Sequence, residues 1–164
     1  MEKLSAIIIT KNEEKNIGRC LESLKWVDEI VVVDAGSSDR TVEICRQYTG
    51  QIFNEGWHGY GKQKNICARH AKNRWVLNVD ADEVVTPESA EEILSVLKNG
   101  PQFPVYQLPR KNYFGDRWIR FGGWYPDRIL RLYDKEKVAF SEVQVHERLI
   151  PDENVGLLKN PLIH

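Results

Sequence analysis

The chain has 164 residues, enough for one ordinary domain with a hydrophobic core and too few for two full domains. Its 23 lysines and arginines almost cancel its 24 aspartates and glutamates, so no global field favours nucleic acid or an anionic membrane as a partner, and any basic patch must be local. Its three cysteines are odd in number and far apart, which predicts reduced core thiols in a cytoplasmic protein and argues against disulfides or a zinc site.

The first half of the chain alternates apolar runs with helical patterns. Leu4 to Ile9 is an unbroken run rich in isoleucine, typical of a strand buried in a parallel sheet. Ile30 to Val33 repeats the pattern, and a third short strand is predicted near Gln51 to Phe53. Helices are predicted behind a cap at Asn12, from Asp39 to Tyr48 and from Lys62 to about Ala71. Repeated strand-to-helix units predict an α/β fold with a mostly parallel central sheet and helices on both faces.

A fourth apolar run, Trp75 to Val79, stops abruptly at Asp80, Asp82 and Glu83. The carboxyl end of a parallel strand opens into a crevice where ligands bind. Carboxylates there can ligate a divalent cation and accept hydrogen bonds from a sugar. The sequence therefore predicts that Asp82 ligates Mg²⁺ or Mn²⁺ and that Asp80 contacts a ribose hydroxyl. The alternative is that these acids only end a strand and charge the start of the helix predicted from Thr86 to Gly100.

Other polar groups of the first half suit a nucleotide. Asp34 follows the second strand and can accept hydrogen bonds from a base or ribose, although it can equally cap its own turn. Lys62, Lys64 and Asn65 follow a glycine-rich loop and can contact a pyrophosphate at a helix start, although the lysines can also form a solvated helical face. The sequence lacks the glycine signature of dinucleotide-dependent oxidoreductases, the P-loop motif and the nucleophile elbow of α/β-hydrolases, which disfavours these three enzyme classes.

The second half begins beyond Pro101 and Pro104 and has a different texture. Its apolar runs are short and alternating, which predicts a smaller antiparallel portion. Between residues 106 and 133, six lysines or arginines face two acids and are interleaved with aromatic residues. We interpret this local basic patch as an acceptor surface and not as a nucleic-acid site. The four short strands are predicted at Val105 to Leu108, Arg128 to Tyr133, Val138 to Phe140 and Val143 to Leu149.

Four ordered segments give the chain a family resemblance. They are residues 8–14 (Ile-Ile-Thr-Lys-Asn-Glu-Glu), 33–41 (Val-Asp-Ala-Gly-Ser-Ser-Asp-Arg-Thr), 61–65 (Gly-Lys-Gln-Lys-Asn) and 80–83 (Asp-Ala-Asp-Glu). In this order and spacing they resemble the family 2 glycosyltransferases, inverting enzymes with the Rossmann-like GT-A fold. The resemblance implies a nucleotide-sugar site that also includes Thr10, Asn12 and Glu13.

The second half narrows the resemblance. Residues 122–127 (Gly-Gly-Trp-Tyr-Pro-Asp) with Arg128 and Arg131, followed by residues 145–147 (Val-His-Glu), are similar to the bacterial subgroup that includes lipopolysaccharide-core β-glucosyltransferases. The resemblance covers essentially the whole chain and implies a single domain over residues 1–164. Within it, residues 1–100 would bind the nucleotide-sugar and residues 101–164 would form an incomplete acceptor side.

The resemblance also assigns catalytic and metal roles. An inverting transferase needs a carboxylate base on the acceptor side, and by position Glu147 is the candidate, with Asp127 in reserve. A late histidine binds the cation in some relatives, which makes His164 a second metal ligand, although a lone histidine is often structural. The implied partners are a nucleotide-sugar, most simply a UDP-sugar, and a glycolipid or saccharide acceptor of the cell envelope, with no nucleic acid.

Relatives of this kind continue beyond the position of His164 into helices near the membrane. We therefore expect a truncated chain that is cytoplasmic, with peripheral membrane contact through the missing part. No apolar run in the sequence approaches the roughly 20 residues that cross a bilayer. Two rival functions stay open: a sugar-nucleotide-binding module without transfer activity, and a sugar-1-phosphate nucleotidyltransferase, which would need a glycine-rich, arginine-containing loop after the first strand.

Overall fold

A computed structural model describes residues 1–122, 125–143, 148–150 and 153–164. Within these ranges the chain forms one large sheet, two small hairpin sheets and four helices. The strands are β1 (Leu4–Thr10), β2 (Glu29–Asp34), β3 (Ile52–Asn54), β4 (Trp75–Asn78), β5 (Val84–Val85), β6 (Val105–Lys111), β7 (Tyr113–Phe114), β8 (Arg117–Trp118), β9 (Asp127–Asp134), β10 (Ala139–Phe140), β11 (Leu149–Ile150), β12 (Val155–Leu157) and β13 (Leu162–Ile163). The helices are α1 (Ile17–Glu22), α2 (Thr41–Cys45), α3 (Tyr60–His70) and α4 (Pro87–Asn99).

The large sheet has the strand order β3-β2-β1-β4-β9-β6-β13-β5, and β12 pairs with β6 off this path. Strands β3, β2, β1 and β4 are parallel. Strand β9 is antiparallel to both β4 and β6 and joins the two halves of the chain in one sheet. The prediction of an α/β fold with a mostly parallel sheet and an antiparallel second portion is confirmed.

The core lies on both faces of this sheet because β1 is apolar at successive positions. Leu4, Ala6 and Ile8 pack with residues of α1 and α4 on one face, and Ile7 packs with residues of α3 on the other. Side chains of a strand alternate between faces, so an unbroken apolar run requires cover on both sides. The helices on both faces supply that cover, as the sequence predicts.

Some local predictions are wrong at the element boundaries. Asn12 does not cap the first helix, because α1 begins at Ile17 behind Asn16 and Asn12 itself has a φ of 53°. Thr86 does cap α4, since its hydroxyl accepts a hydrogen bond from the backbone N–H of Ser89 at 3.1 Å. The strand predicted from Val143 to Leu149 lies largely outside the described residues, and β11 begins only at Leu149.

The three cysteines are free and buried in the core. Burial raises the pKa of Cys45 to about 11 and that of Cys67 to about 12. The pKa of Cys20 is also raised, by burial first and then by the nearby carboxylate of Glu83. The prediction of reduced core thiols agrees with this placement. Among the described residues, no helix combines the length and the apolar character that crossing a bilayer requires.

A buried ion cluster connects β9 to the turn that follows β4. Arg131 Nη2 of β9 donates to Glu83 Oε1 at 2.8 Å and to Asp80 Oδ2 at 2.9 Å. The Glu83 carboxylate is inaccessible to solvent, and Arg131 is almost so. Burial raises the pKa of Glu83 in spite of the guanidinium. For Asp80, burial acts in the same direction, but the charges of Arg131 and Lys64 outweigh it and lower the pKa.

We predict that Arg131→Met destabilises the fold by roughly 3–5 kcal/mol, because it leaves Glu83 buried without its main counter-charge. Chemical denaturation gives the free energy of unfolding. Arg40→Met is the control, since Arg40 and Glu43 form an exposed pair whose loss should leave stability unchanged. Adding Glu83→Gln to Arg131→Met should recover part of the loss, and equal stability of Arg131→Met and the wild type would contradict the role of the cluster.

Candidate active site

A cleft of about 620 Å³ lies at the carboxyl ends of β1 and β4. The chain crosses from β3, on one side of β1, to β4, on the other, so these two strands flank the point at which the strand order reverses. Open α/β sheets bind ligands at such switch points. We call this cavity the switch-point cleft. It is lined by Ile9, Thr10, Lys11, Glu13, Trp57, Tyr60, Lys64, Asp80, Ala81, Asp82 and His164.

The turn after β4 fixes the two aspartates of the cleft. Glu83 N–H donates to the carbonyl of Asp80 at 2.9 Å, and Glu83 Oε2 accepts from Asp80 N–H at 2.9 Å. Asp80 Oδ2 is held by Arg131, and Asp80 Oδ1 lies 3.9 Å from Lys64 Nζ. Both aspartates are partly exposed and line the cleft, and Asp82 is the one that pairs with a histidine instead of a lysine or arginine.

Asp82 meets His164 across the cleft although 82 positions separate them in sequence. His164 Nε2 lies 3.1 Å from Asp82 Oδ2, and His164 Nδ1 lies 2.8 Å from Asn112 Oδ1. Because an amide oxygen only accepts, Nδ1 carries a proton, and Nε2 is the nitrogen presented to Asp82. Their hydrogen bond raises the pKa of His164 and lowers the pKa of Asp82.

His164 is held by backbone bonds at the end of β6. Its N–H donates to the carbonyl of Lys111 at 2.8 Å, and its carbonyl accepts from Tyr113 N–H at 2.9 Å. Asn112, which lies between those two residues, donates through Nδ2 to Asp127 Oδ2 at 3.3 Å. One amide side chain therefore connects the imidazole to the carboxylate of Asp127.

Asp127 lies beside the switch-point cleft in a second cavity of about 410 Å³. Its Oδ2 accepts from Arg110 Nη2 at 2.7 Å and from Arg110 Nε at 3.0 Å. Arg110 Nη1 also lies 3.4 Å from Glu83 Oε1, so the buried cluster extends to Asp127. We call this cavity the hairpin cavity. Its lining residues are Arg110, Asn112, Tyr113, Phe114, Ile119, Gly122, Asp127 and His164.

The predicted site residues of the first half divide into two groups. Thr10 and Glu13 line the switch-point cleft together with Asp80. Asn12 does not line it, and its side-chain oxygen accepts instead from Ser38 N–H at 2.8 Å. Asp34 lines a different cavity and is buried, with both oxygens engaged in its own turn by Gly36 and Ser37.

The residues of α3 that were predicted to contact a pyrophosphate also lie in different surroundings. Lys62 is exposed and does not line the cleft. Asn65 faces β10, where it donates to the carbonyl of Phe140 at 2.9 Å and accepts from Phe140 N–H at 2.9 Å. Lys64 is the cation of this helix that lines the cleft, and its ammonium lies 5.0 Å from the Phe140 ring centroid. Glu147, the first candidate base, lies outside the described residues.

Sequence reasoning missed several groups that shape the site. Arg110 and Asn112 lie in or next to antiparallel strands and reach the cleft region only through strand pairing, so no local motif marks them. Arg131 belongs to a family motif, but its bonds to Asp80 and Glu83 depend on the pairing of β9 with β4 and were not predicted. Trp57 and Tyr60 pack edge to face, with ring centroids 4.8 Å apart, and form an exposed aromatic wall of the cleft. The glycine-rich loop before α3 can be recognised in the sequence, but the side of the sheet on which it lies cannot.

Comparisons with known proteins identify the family of the chain. The family model described as glycosyl transferase family 2 matches residues 5–148. An uncharacterized glycosyltransferase of Rickettsia felis is 41% identical over 162 residues, which cover 94% of this chain and 57% of that protein. The lipopolysaccharide core biosynthesis glycosyltransferase LpsC of Rhizobium meliloti is 33% identical over 93% of this chain and 59% of its own length. The chain thus spans somewhat more than half of these relatives.

Solved structures share the fold. The structure of Staphylococcus aureus TarS 1–349 in complex with UDP superposes with a TM-score of 0.73 and 20% identity, over 99% of this chain and 60% of that one. Glucosyl-3-phosphoglycerate synthase of Mycobacterium tuberculosis, solved with Mn²⁺, UDP and phosphoglyceric acid, gives a TM-score of 0.57 and 19% identity, over 70% and 44% of the two chains. Both identities are low, so these matches concern the GT-A fold alone. The family match over residues 5–148, which is most of the chain, establishes that this chain belongs to glycosyltransferase family 2.

Proposed function

We propose that this domain binds a nucleotide-sugar, most simply a UDP-sugar, in the switch-point cleft, and that the longer protein transfers the sugar to an acceptor with inversion. One observation carries the proposal: Asp82 and His164, far apart in sequence, bring a carboxylate and an imidazole within 3.1 Å at the sheet's switch point. Two kinds of support come from relatives, since TarS was solved with UDP and LpsC is named for lipopolysaccharide core biosynthesis.

The side chains of Asp82 and His164 fit a hard divalent cation. Asp82 and His164 both face the cleft and are partly exposed. Asp80 is instead held by the guanidinium of Arg131. No cluster of three or more potential ligands occurs among the described residues, so a cation held by Asp82 and His164 would need diphosphate oxygens and water as its other ligands. Asp82 and His164 would hold Mg²⁺ or Mn²⁺, which when bound supplies positive charge to the departing diphosphate.

The remaining residues of the cleft have complementary tasks. Lys64, held near Asp80, adds a fixed positive charge where the diphosphate would lie. The exposed faces of Trp57 and Tyr60 offer an apolar wall for a base or a sugar ring. Asp80 is ionised and fixed by Arg131, so it presents an acceptor to a ribose hydroxyl without rearrangement.

Glu147 is the proposed base, and Asp127 is the reserve. A general base must take a proton from the acceptor hydroxyl as that hydroxyl attacks the anomeric carbon. Asp127 Oδ2 already accepts hydrogen bonds from Arg110 and Asn112, which suits a positioning role in the hairpin cavity better than proton uptake. The acceptor is proposed to be a glycolipid or saccharide, and the site of action the cytoplasmic side of the cell envelope.

We predict that UDP stabilises the domain strongly only when Mn²⁺ or Mg²⁺ is present, because the diphosphate would otherwise face the carboxylate of Asp82 without a cation between them. At 100 times the dissociation constant the gain should be about 2.7 kcal/mol, measured from unfolding curves with and without metal. Asp82→Ala should abolish the metal-dependent part. The control Glu91→Ala, at an exposed position of α4, should keep it. An undiminished shift in Asp82→Ala would mean that the carboxylate only ends a strand.

We also predict that Mn²⁺ affinity falls as the pH falls through the pKa of His164. The hydrogen bond to Asp82 raises that pKa, so the proton on Nε2 competes with the metal at a higher pH than for an ordinary imidazole. Below this pKa, affinity should drop by up to about tenfold per pH unit, since one proton is displaced per ion. Electron paramagnetic resonance of free Mn²⁺, without nucleotide, measures the effect. His164→Ala should bind Mn²⁺ weakly and lose this step, and a pH-independent affinity in the wild type would exclude the imidazole as a ligand.

Glu147→Gln in the complete-length protein should keep metal-dependent donor binding and lose turnover by roughly 10²- to 10⁴-fold, because an amide cannot take the proton. Asp127→Asn is the matched comparison and should retain more activity. If Asp127→Asn instead loses turnover with donor binding intact while Glu147→Gln stays active, Asp127 is the base. The 164-residue domain alone should bind the donor and transfer little or no sugar.

A further inference from the structure

The hairpin formed by β7 and β8 and the residues just after it carry the most exposed aromatic rings of the described chain. Phe114 and Phe121 are 81% and 84% exposed, more than any other large apolar side chain among the described residues. Most apolar side chains on a protein surface are scattered singly and need no explanation. Here two exposed phenylalanines lie close together in sequence, Phe114 on β7 and Phe121 three residues after the end of β8. We call residues 111–121 the aromatic hairpin.

The aromatic hairpin is an ordered platform. Its two strands pair Tyr113 with Trp118 and Phe114 with Arg117, and the connection between them turns at Gly115, whose φ is 60°. Backbone N–H of Ile119 donates to the carbonyl of Asn112 at 3.0 Å, which ties the hairpin to the end of β6. Phe114 is therefore presented by a hydrogen-bonded frame, and Phe121 follows this frame two residues after Ile119.

Positive charge surrounds these rings. Lys111, Arg117 and Arg120 face a single acid, Asp116, within the aromatic hairpin, whereas the whole chain has a net charge of −1. Lys111 Nζ lies 4.4 Å from the Trp118 ring centroid, and Arg120 Cζ lies 4.9 Å from it. Two of the three cations are thus held over the partly buried Trp118 ring, which lies in sequence between the two exposed phenylalanines.

We propose that the aromatic hairpin docks this domain on the surface of an anionic lipid bilayer. Phe114 and Phe121 would enter the boundary between head groups and acyl chains, and the basic side chains would meet lipid phosphates. Apolar burial combined with attraction to anionic lipid is the combination that binds proteins to membrane interfaces. A single-stranded nucleic acid would stack bases on ring faces, and the Trp118 ring is already contacted by Lys111 and Arg120, so binding to an oligonucleotide is one outcome of the test below.

The position of the aromatic hairpin gives docking a consequence for catalysis. Tyr113 and Phe114 line the hairpin cavity, which also contains Asp127 and His164. A docked domain would therefore open this cavity towards the membrane. If the proposed function is correct, on which this step rests, an acceptor whose lipid part stays in the bilayer could place its hydroxyl beside the switch-point cleft.

Co-sedimentation of the 164-residue chain with extruded vesicles tests the proposal. Vesicles of phosphatidylcholine with about 30% phosphatidylglycerol should bind the chain. Vesicles of phosphatidylcholine alone should bind it about tenfold more weakly, or less. The double variant Phe114→Ser/Phe121→Ser should lose about tenfold or more of the binding to anionic vesicles. Arg117→Gln/Arg120→Gln should lose the preference for anionic lipid and its salt dependence.

Two matched controls separate docking from general surface effects. Leu157→Ser removes an apolar side chain that is 62% exposed on β12, and Arg19→Gln/Arg46→Gln removes two exposed charges elsewhere. Both should bind anionic vesicles like the wild type. Equal losses in the controls and the hairpin variants, no binding by the wild type, or wild-type binding to an unstructured oligonucleotide in place of vesicles would each overturn the proposal. Vesicle binding uses no nucleotide, so failure of UDP and Mn²⁺ to stabilise the same preparation would count against the proposed function alone.

Discussion

The pairing of buried Glu83 with Arg131 is the constraint on which the candidate site depends. A carboxylate removed from water needs a counter-charge and hydrogen bonds to remain ionised, and Arg131 can supply them only when β9 lies against β4. Strand pairing and the shape of the turn are therefore set together. The same guanidinium holds Asp80, and the carboxylate of Glu83 also accepts from Asp80 N–H, so the direction in which Asp82 points follows from one buried ion cluster.

The polar contacts beyond this cluster form one continuous path between the two cavities. Arg110 connects Glu83 to Asp127, and Asn112 connects Asp127 to His164, which returns to Asp82. Groups in one network do not contribute independently to stability or binding. The proposed metal site and the proposed acceptor side therefore share a framework, and a change at Asn112 would be felt on both sides.

The regular elements could be predicted from the sequence because their signals are local. The apolar runs of β1 and β4 and the capped start of α4 are examples, and the family motifs point correctly to the GT-A fold. The direction of polar loop side chains could not be predicted in this way. Asn12 bonds to Ser38, and Asn65 bonds to Phe140, and both partners are distant in sequence. Arg131 could be named from a family motif, but its bonds to Asp80 and Glu83 could not be predicted, since they form only when antiparallel β9 pairs with β4.

The burial of all three thiols has a practical consequence for studying this protein. Thiolates, not thiols, react with maleimides and similar reagents, and Cys45 and Cys67 have pKa values of about 11 and about 12 because they are buried. Almost no thiolate is present at neutral pH in the folded domain. A cysteine introduced at an exposed position would then be labelled selectively without removing any native one, so fluorophores or spin labels can report on the loops around the cleft while the core stays unaltered.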